Sequence, residues 1–394
     1  MKIVASDFPW CQQTRYIIFS QLIIIAMLDM SDPYWPLILS SYHPFDAKTL
    51  QYWTGTIYMA PMLTTIFTTL LWTKVGEHIG YKKMILRAGF ALAISQWALI
   101  FLKNPWWILL IRLLQGALAG FTAAAQAWAL KITPINVHSR IVGRLQAATA
   151  IGSIVGPICG GFLANYYGYL SIFMTAGLVC VLVSVLLAKF LIENPIPKEK
   201  IINKIKKIKK IYPGKNFLLV LICLTQAARW MATPFFSLYV VKQLNSGNIT
   251  VGIIYALMAL MMSLTTPNLG RFIDKKNNHM VWGKRILVTA LLVSGFVYCG
   301  YAFVSKAYLA YILSLFLGIS LGAISLILFT FLFKGIKDNR RSQIVGLGNT
   351  SLKLGNLLGI MVGSAIQAEG RFMISFIFIG CFYFFLAVLS LRYN

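Results

Sequence analysis

The chain has 394 residues, 58% of them hydrophobic with a mean hydropathy of +0.74, and a formal charge of +26. That apolarity excludes a soluble globular protein and a disordered one. The surplus of 36 Lys and Arg suggests a nucleic-acid binder only until the charges are located along the chain.

Twelve largely uncharged windows, each long enough to cross a bilayer, lie near 16–40, 51–72, 84–102, 106–130, 141–163, 169–191, 216–241, 251–270, 285–304, 307–333, 343–367 and 372–391. Backbone groups cannot go unpaired in lipid, and a β-barrel would need short alternating strands, so the windows predict helices. The expected fold class is an all-α polytopic membrane protein with 12 transmembrane helices in two pseudo-symmetric six-helix bundles. The first apolar run lacks a small-residue cleavage site and is expected to be the first span rather than a signal peptide.

With both ends on one side, 28 of the 36 basic residues fall in the terminal segments and even-numbered loops, five in odd-numbered loops and three inside spans. Excess Lys and Arg mark cytoplasmic loops, so both termini are expected to be cytoplasmic and the positive charge serves topology rather than nucleic acid. A Lys- and Ile-rich composition hints at an AT-rich bacterial genome, and the expected location is the bacterial inner membrane.

The chain divides into an N-terminal bundle over 1–192, a basic connector over 193–215 and a C-terminal bundle over 216–394. In the connector, Ile201, Ile205, Ile208 and Ile211 recur at near-helical spacing with five lysines between them. This suits either a helix lying on an anionic membrane surface or a solvated linker. An internal repeat supports the two halves. Gly143, Gly152, Gly156 and Gly160 in the fifth span align without gaps on Gly346, Gly355, Gly359 and Gly363 in the eleventh. Most of these glycines fall on one helix face and allow close helix contact.

Two turns also correspond, Thr73–Lys83 after span 2 and Gly270–Lys276 after span 8, each with an acid (Glu77, Asp274) beside basic residues. The first keeps the acid, Gly80 and Lys82 of the pattern Gly-x-Leu-x-Asp-Arg-x-Gly-Arg-Lys. Arg112-Leu113-Leu114-Gln115-Gly116 matches Arg-x-x-Gln-Gly, and Gly152–Gly161 matches Gly-x-x-x-Gly-Pro-x-x-Gly-Gly. On these motifs the whole chain resembles the major facilitator superfamily, most closely its twelve-span drug:proton antiporters. The resemblance implies alternating access, a charge latch at Glu77, Gly80, Lys82 and Asp274, gating along Gly152, Gly156, Pro157 and Gly160, proton coupling at Arg112, and a monomer. Leu28–Pro36 and the run from Gln115 through Gln126-Ala127-Trp128 are similar to the branch that holds bacterial exporters of carboxylate siderophores.

The residues inside the spans carry the chemistry. A charge at bilayer depth is costly unless it is paired or lines a watery cavity. Counted at about 1.5 Å per residue, Asp32 and Arg112 lie at the same level, roughly 24 Å from the inner end. Desolvation and a neighbouring cation act on a carboxyl's proton affinity in opposite senses and can tune it. Asp32, with Asp29 as partner and Arg112 setting its affinity, is the expected proton-exchange site; a fixed ion pair stapling spans 1 and 4 is the alternative. Arg229 and Lys353 have no acid at similar depth in the second half, which favours an anionic small-molecule substrate, although Lys353 could also snorkel. Tyr34, Trp35, Gln115, Gln126, Trp128 and Trp230 complete the candidate substrate set, with Phe235 nearby.

Pro33, Pro36, Pro157, Pro234 and Pro267 are expected to bend helices. Six cysteines form no disulfide or metal pattern, and no cofactor is expected beyond the proton gradient. His-Glu-x-x-His, Gly-x-Ser-x-Gly and Gly-x-x-x-x-Gly-Lys-Ser/Thr are all missing, which argues against a polytopic enzyme and against an ATP-driven pump. The expected function is proton-coupled export of a small anionic metabolite such as a carboxylate siderophore. A multidrug:proton antiporter and a proton-coupled importer of a siderophore or organic anion are the alternatives.

Overall fold

The computed structural model describes residues 9–192, 215–275, 278–334, 336 and 338–392. The basic connector over 193–214 and Lys276 of the second repeated turn lie outside the described residues. So does the side chain of Glu77.

Among the described residues the chain is helical, with no strand. The helices are α1 (Pro9–Asp29), α2 (Trp35–Tyr42), α3 (Ala47–Ile79), α4 (Tyr81–Phe101), α5 (Pro105–Ala117), α6 (Phe121–Ile132), α7 (His138–Tyr166), α8 (Tyr169–Phe190), α9 (Lys215–Trp230), α10 (Phe236–Lys242), α11 (Asn248–Asp274), α12 (His279–Phe303), α13 (Ala307–Phe333), α14 (Asp338–Gln367) and α15 (Phe372–Leu391). They map onto the twelve windows once three broken spans are recognised. Span 1 is α1 with α2, span 4 is α5 with α6, and span 7 is α9 with α10.

Two compact units result, Met1–Trp35 with Ala60–Lys200 and Pro36–Met59 with Ile201–Asn394. The segment Pro36–Met59 groups with the second unit because Gly55 of α3 packs directly on Ser364 of α14. Within each half the same pairs of spans meet: α1 with α7 and α9 with α14, then α4 with α8 and α12 with α15. The third pairing is α11 with α13. Its first-half counterpart joins α3 to α5, where Thr64 Oγ1 donates to the Leu113 carbonyl at 2.9 Å and Thr65 Oγ1 to that of Gly116 at 3.1 Å.

The glycine repeat has a direct structural meaning. A methyl added to Gly152, Gly156 or Gly160 would fall on the backbone of Leu22, Ala26 or Met30 in α1 and the turn that follows it. One added to Gly355, Gly359 or Gly363 would fall on Cys223, Ala227 or Met231. Gly143 and Gly346, at the open end of both stripes, face empty space.

The sequence expectation of a multi-residue turn after span 2 is corrected. The helix runs through Ile79, and Gly80 alone, at φ +97°, reverses the chain before Tyr81. Only glycine takes that conformation without strain, which explains its place in the motif. At the start of α3, Asp46 caps the helix by accepting the Thr49 N–H at 3.3 Å.

Candidate functional site

The break in span 1 follows from its prolines. Pro33 and Pro36 lack the N–H groups that would bond the carbonyls of Asp29 and Asp32, so α1 stops at Asp29. The chain passes through a 3-10 turn at Asp32–Tyr34 and resumes as α2. Both acids therefore sit on the interrupted backbone of one span.

Opposite them, α5 starts from Asn104, whose side chain accepts the Trp106 N–H at 3.0 Å, with Pro105 in the first turn. Two turns later comes Arg112, only 6% exposed. Its Nη1 donates to Gln115 Oε1 at 2.8 Å, its Nη2 lies 3.8 Å from Asp32 Oδ1, and its guanidinium carbon stands 5.0 Å from the Trp35 ring centre. The motif spacing is thus physical. Residues three apart share a helix face, so Gln115 reaches Arg112. Gly116, one residue on, lets α5 press against the Pro61 carbonyl and Thr64 of α3. Gln115 Nε2 is buried with no hydrogen-bond partner among the described residues.

The ion pair is lopsided. The Asp32 side chain is 45% accessible, against 7% for Arg112. Arg112 is held by Gln115 and Trp35 as well as by Asp32. Asp29 is held by a hydrogen bond from Ser153 of α7 and interacts with Asp32. Ser153 lies four residues before Pro157, so its carbonyl also lacks a helical donor. The Pro157 carbonyl accepts Tyr34 Oη at 2.9 Å. The structure therefore brings Asp29, Asp32, Arg112, Gln115 and Trp35 together, and ties them to Pro157 and the span-5 glycines.

Tyr34 and Trp35 are fully buried, with Trp35 also packed on Phe173 at 5.5 Å. Trp128 is buried in the core beside Ile17 and Ile24, and Gln126 is half-buried. Of the expected latch, Lys82 is half-buried and Asp274, the last residue of α11, is exposed.

Arg87 is the residue that sequence reasoning missed, because it was counted with the basic residues of the loop after span 2. It lies inside α4, with its guanidinium carbon 3.3 Å from the centre of the Trp72 ring, and Nη2 donates to the Ala119 carbonyl at 3.1 Å. Trp72 Nε1 donates to the Ala117 carbonyl at 2.6 Å. These groups satisfy carbonyls at the broken end of α5, where Gly120 at φ +123° turns the chain into α6. A cation at a helix C-terminus also meets the negative end of its dipole. The signal available was position: Arg87 stands seven residues beyond Gly80, too deep for a surface charge.

In the second unit, span 7 breaks at the equivalent place. Met30 N–H to Ala26 and Tyr34 N–H to Ser31 are matched by Met231 to Ala227 and Phe235 to Ala232, and Pro33 by Pro234. Arg229, half-buried, lies just before this break, within electrostatic range of Tyr298 and Tyr383. Those rings stack with centroids 5.5 Å apart. Lys353 and Trp230 are half-buried, and Asn356, one turn after Lys353, has a buried Oδ1 with no partner among the described residues. Arg229 and Lys353 have no carboxylate partner among the described residues.

A profile of the Major Facilitator Superfamily matches residues 17–360. The chain is 25% identical over 387 residues to the "Staphyloferrin B transporter" of Staphylococcus aureus, covering 94% of this chain and 90% of that protein. It is 28% identical over 345 residues to the "Multi-drug resistance efflux pump PmrA homolog" of Lactococcus lactis, covering 85% and 83%. Among solved structures, the nucleoside transporter NupG superposes with a TM-score of 0.78 at 11% identity, covering 96% of this chain and 99% of that one.

Proposed function

The chain belongs to the Major Facilitator Superfamily and is a membrane transporter rather than an enzyme, and from that premise we propose that it exports a small anionic metabolite in exchange for protons. The observation that carries the reading is the uneven pair at the span-1 break, an accessible Asp32 carboxyl beside a buried, independently anchored Arg112. Such an acid can gain and lose a proton while the cation stays in place. Asp29, hydrogen-bonded to Ser153, is its partner in that exchange. Arg229 and Lys353, which lack carboxylate partners among the described residues, favour an anionic cargo, since an unneutralised cation at depth is costly. A carboxylate siderophore is the sharpest choice, and a relative named as a staphyloferrin B transporter supports it. The proton gradient is the energy source and no cofactor takes part. The protein works as a monomer, as the family resemblance implies, in the bacterial inner membrane, with both termini cytoplasmic, as the distribution of Lys and Arg favours.

A multidrug antiporter is the second reading, favoured by the relatives named as multi-drug resistance efflux pumps. Measuring iron-chelating activity secreted by an iron-starved host, with and without the gene, separates the two. Loss of secretion with build-up inside the cell is expected. Unchanged secretion would reject siderophore export and leave drug efflux, to be tested by drug-driven proton flux in proteoliposomes.

A further inference from the structure

In the first unit α1, α7 and α8 enclose a groove of about 660 Å³. Its floor is fixed at one end. Gln13 Nε2 donates to the Phe190 carbonyl at 2.9 Å while its Oε1 accepts the Ile192 N–H at 3.0 Å. Tyr16 packs on Phe190 with ring centroids 5.6 Å apart. The walls are apolar side chains within membrane-spanning helices, with Phe19, Ile151 and Leu186 all about half exposed or more.

Arg15 and Arg144 also line the groove, both exposed, one near the start of α1 and the other near the start of α7. No acid lines it. A second groove of about 720 Å³ in the same unit, among α4, α7 and α8, has no charged residue in its lining among the described residues. The cation pair is therefore a property of one groove and not of apolar clefts in this unit.

The repeat strengthens the point. In the register set by the glycine contacts, Arg15 corresponds to Asn216 and Arg144 to Leu347. The second unit folds on the same scaffold without cations at these places. Arginines that served topology alone could stand anywhere near the end of a span. A guanidinium pair at the head of an apolar groove is instead complementary to a phosphate with a hydrocarbon tail.

We propose that this groove holds one anionic phospholipid, its acyl chain along Phe19, Ile151 and Leu186 and its phosphate between Arg15 and Arg144. The full-length protein in mild detergent is titrated with phosphatidylglycerol and with phosphatidylcholine of the same acyl composition, and bound lipid is counted by native mass spectrometry. The wild type is expected to retain one phosphatidylglycerol in preference to phosphatidylcholine. The double substitution Arg15→Gln/Arg144→Gln should weaken phosphatidylglycerol binding about thirtyfold, to the level of phosphatidylcholine. Arg15→Lys/Arg144→Lys, which keeps the charge, should retain most of the preference. Ile151→Trp, which fills the groove without altering charge, should weaken both lipids. Lys242→Gln/Arg371→Gln, removing two exposed charges elsewhere, should change neither. Equal retention by wild type and the Arg15→Gln/Arg144→Gln protein, no preference in the wild type, or an equal loss with Lys242→Gln/Arg371→Gln would each overturn the site.

Discussion

Substituting alanine at four glycines of the repeated stripe gives four chemically identical changes with two opposite outcomes. At Gly156 and Gly359 the new methyl falls on the carbonyl of Ala26 or Ala227, and a backbone carbonyl cannot rotate aside as a side chain can. The paired spans must separate or shift, and overpacking of this kind costs about 1–3 kcal/mol. At Gly143 and Gly346 the methyl meets nothing within 4 Å. There only the helix propensity gain acts, about 0.8–1.0 kcal/mol in favour of alanine. That gain is common to all four sites, so the difference between closed and open sites is the clash alone. A unit of 150–250 residues shifts by about 2–4 °C per kcal/mol, so the closed-site variants should melt roughly 2–12 °C below the open-site ones. Thermal unfolding of the detergent-solubilised protein, followed by intrinsic fluorescence, reads this directly. If Gly156→Ala and Gly143→Ala melt together, the stripe does not hold span 5 against span 1. A split in one half without the other would break the claimed equivalence of α1–α7 and α9–α14.

Asp32→Asn should abolish the pH dependence of substrate-driven proton flux in proteoliposomes while costing at most about 1 kcal/mol of stability, because the carboxyl is 45% accessible and the pair with Arg112 is 3.8 Å long. Survival of normal pH-dependent exchange would leave the pair as a structural staple. Arg229→Gln and Lys353→Gln should each cripple flux of an anionic cargo and spare a cationic one; the reverse selectivity removes the argument for an anion. Arg87→Leu strips the Ala119 carbonyl of its donor and should lower stability by about 1–3 kcal/mol. Lys83→Leu, at an exposed position one turn away, should leave the melting curve unmoved, and equal effects of the two would deny Arg87 its capping role.

The spans and their pairing were legible because bilayer chemistry imposes long apolar windows and because glycines at helical spacing mark close contacts. Arg112 and Gln115 were legible for the same reason, since polar side chains at that depth stand out against leucine. The breaks were less so. Prolines 33, 157, 234 and 267 all fall inside apolar windows, yet only Pro33 and Pro234 interrupt a helix, while α7 and α11 run straight through Pro157 and Pro267. Composition does not distinguish them, because the outcome depends on what satisfies the freed carbonyls. Pro61 inside α3 escaped notice, and so did Arg87, whose partner Trp72 lies fifteen residues away across the Gly80 turn. The burial of Tyr34 and Trp35 was not legible either: both are fully buried, Trp35 between Arg112 and Phe173, which depends on packing partners far away in the chain.

Spans 1 and 7 break in the same way and differ in charge, and the difference is concerted. In the register of Ala26 with Ala227, Asp29 corresponds to Trp230 and Asp32 to Thr233, so the second unit has lost both acids. Arg229 corresponds to Leu28, one residue and about 100° around the helix from the position of Asp29. That rotation aims the charge at different neighbours. Asp29 meets Ser153 on α7, whereas Arg229 meets Tyr298 on α12 and Tyr383 on α15. Gly177 packs on Trp97 as Gly380 packs on Cys299, and in that register the two tyrosines replace Gln96 and Cys180. A single stray arginine in the second half could be an accident of drift. A half-buried arginine that arrives with two stacked tyrosines on separate helices, at positions where the first unit carries leucine, glutamine and cysteine, is a concerted change of the site. The same interrupted helix thus presents a carboxyl pair beside Arg112 in one unit and a cation near two phenols in the other.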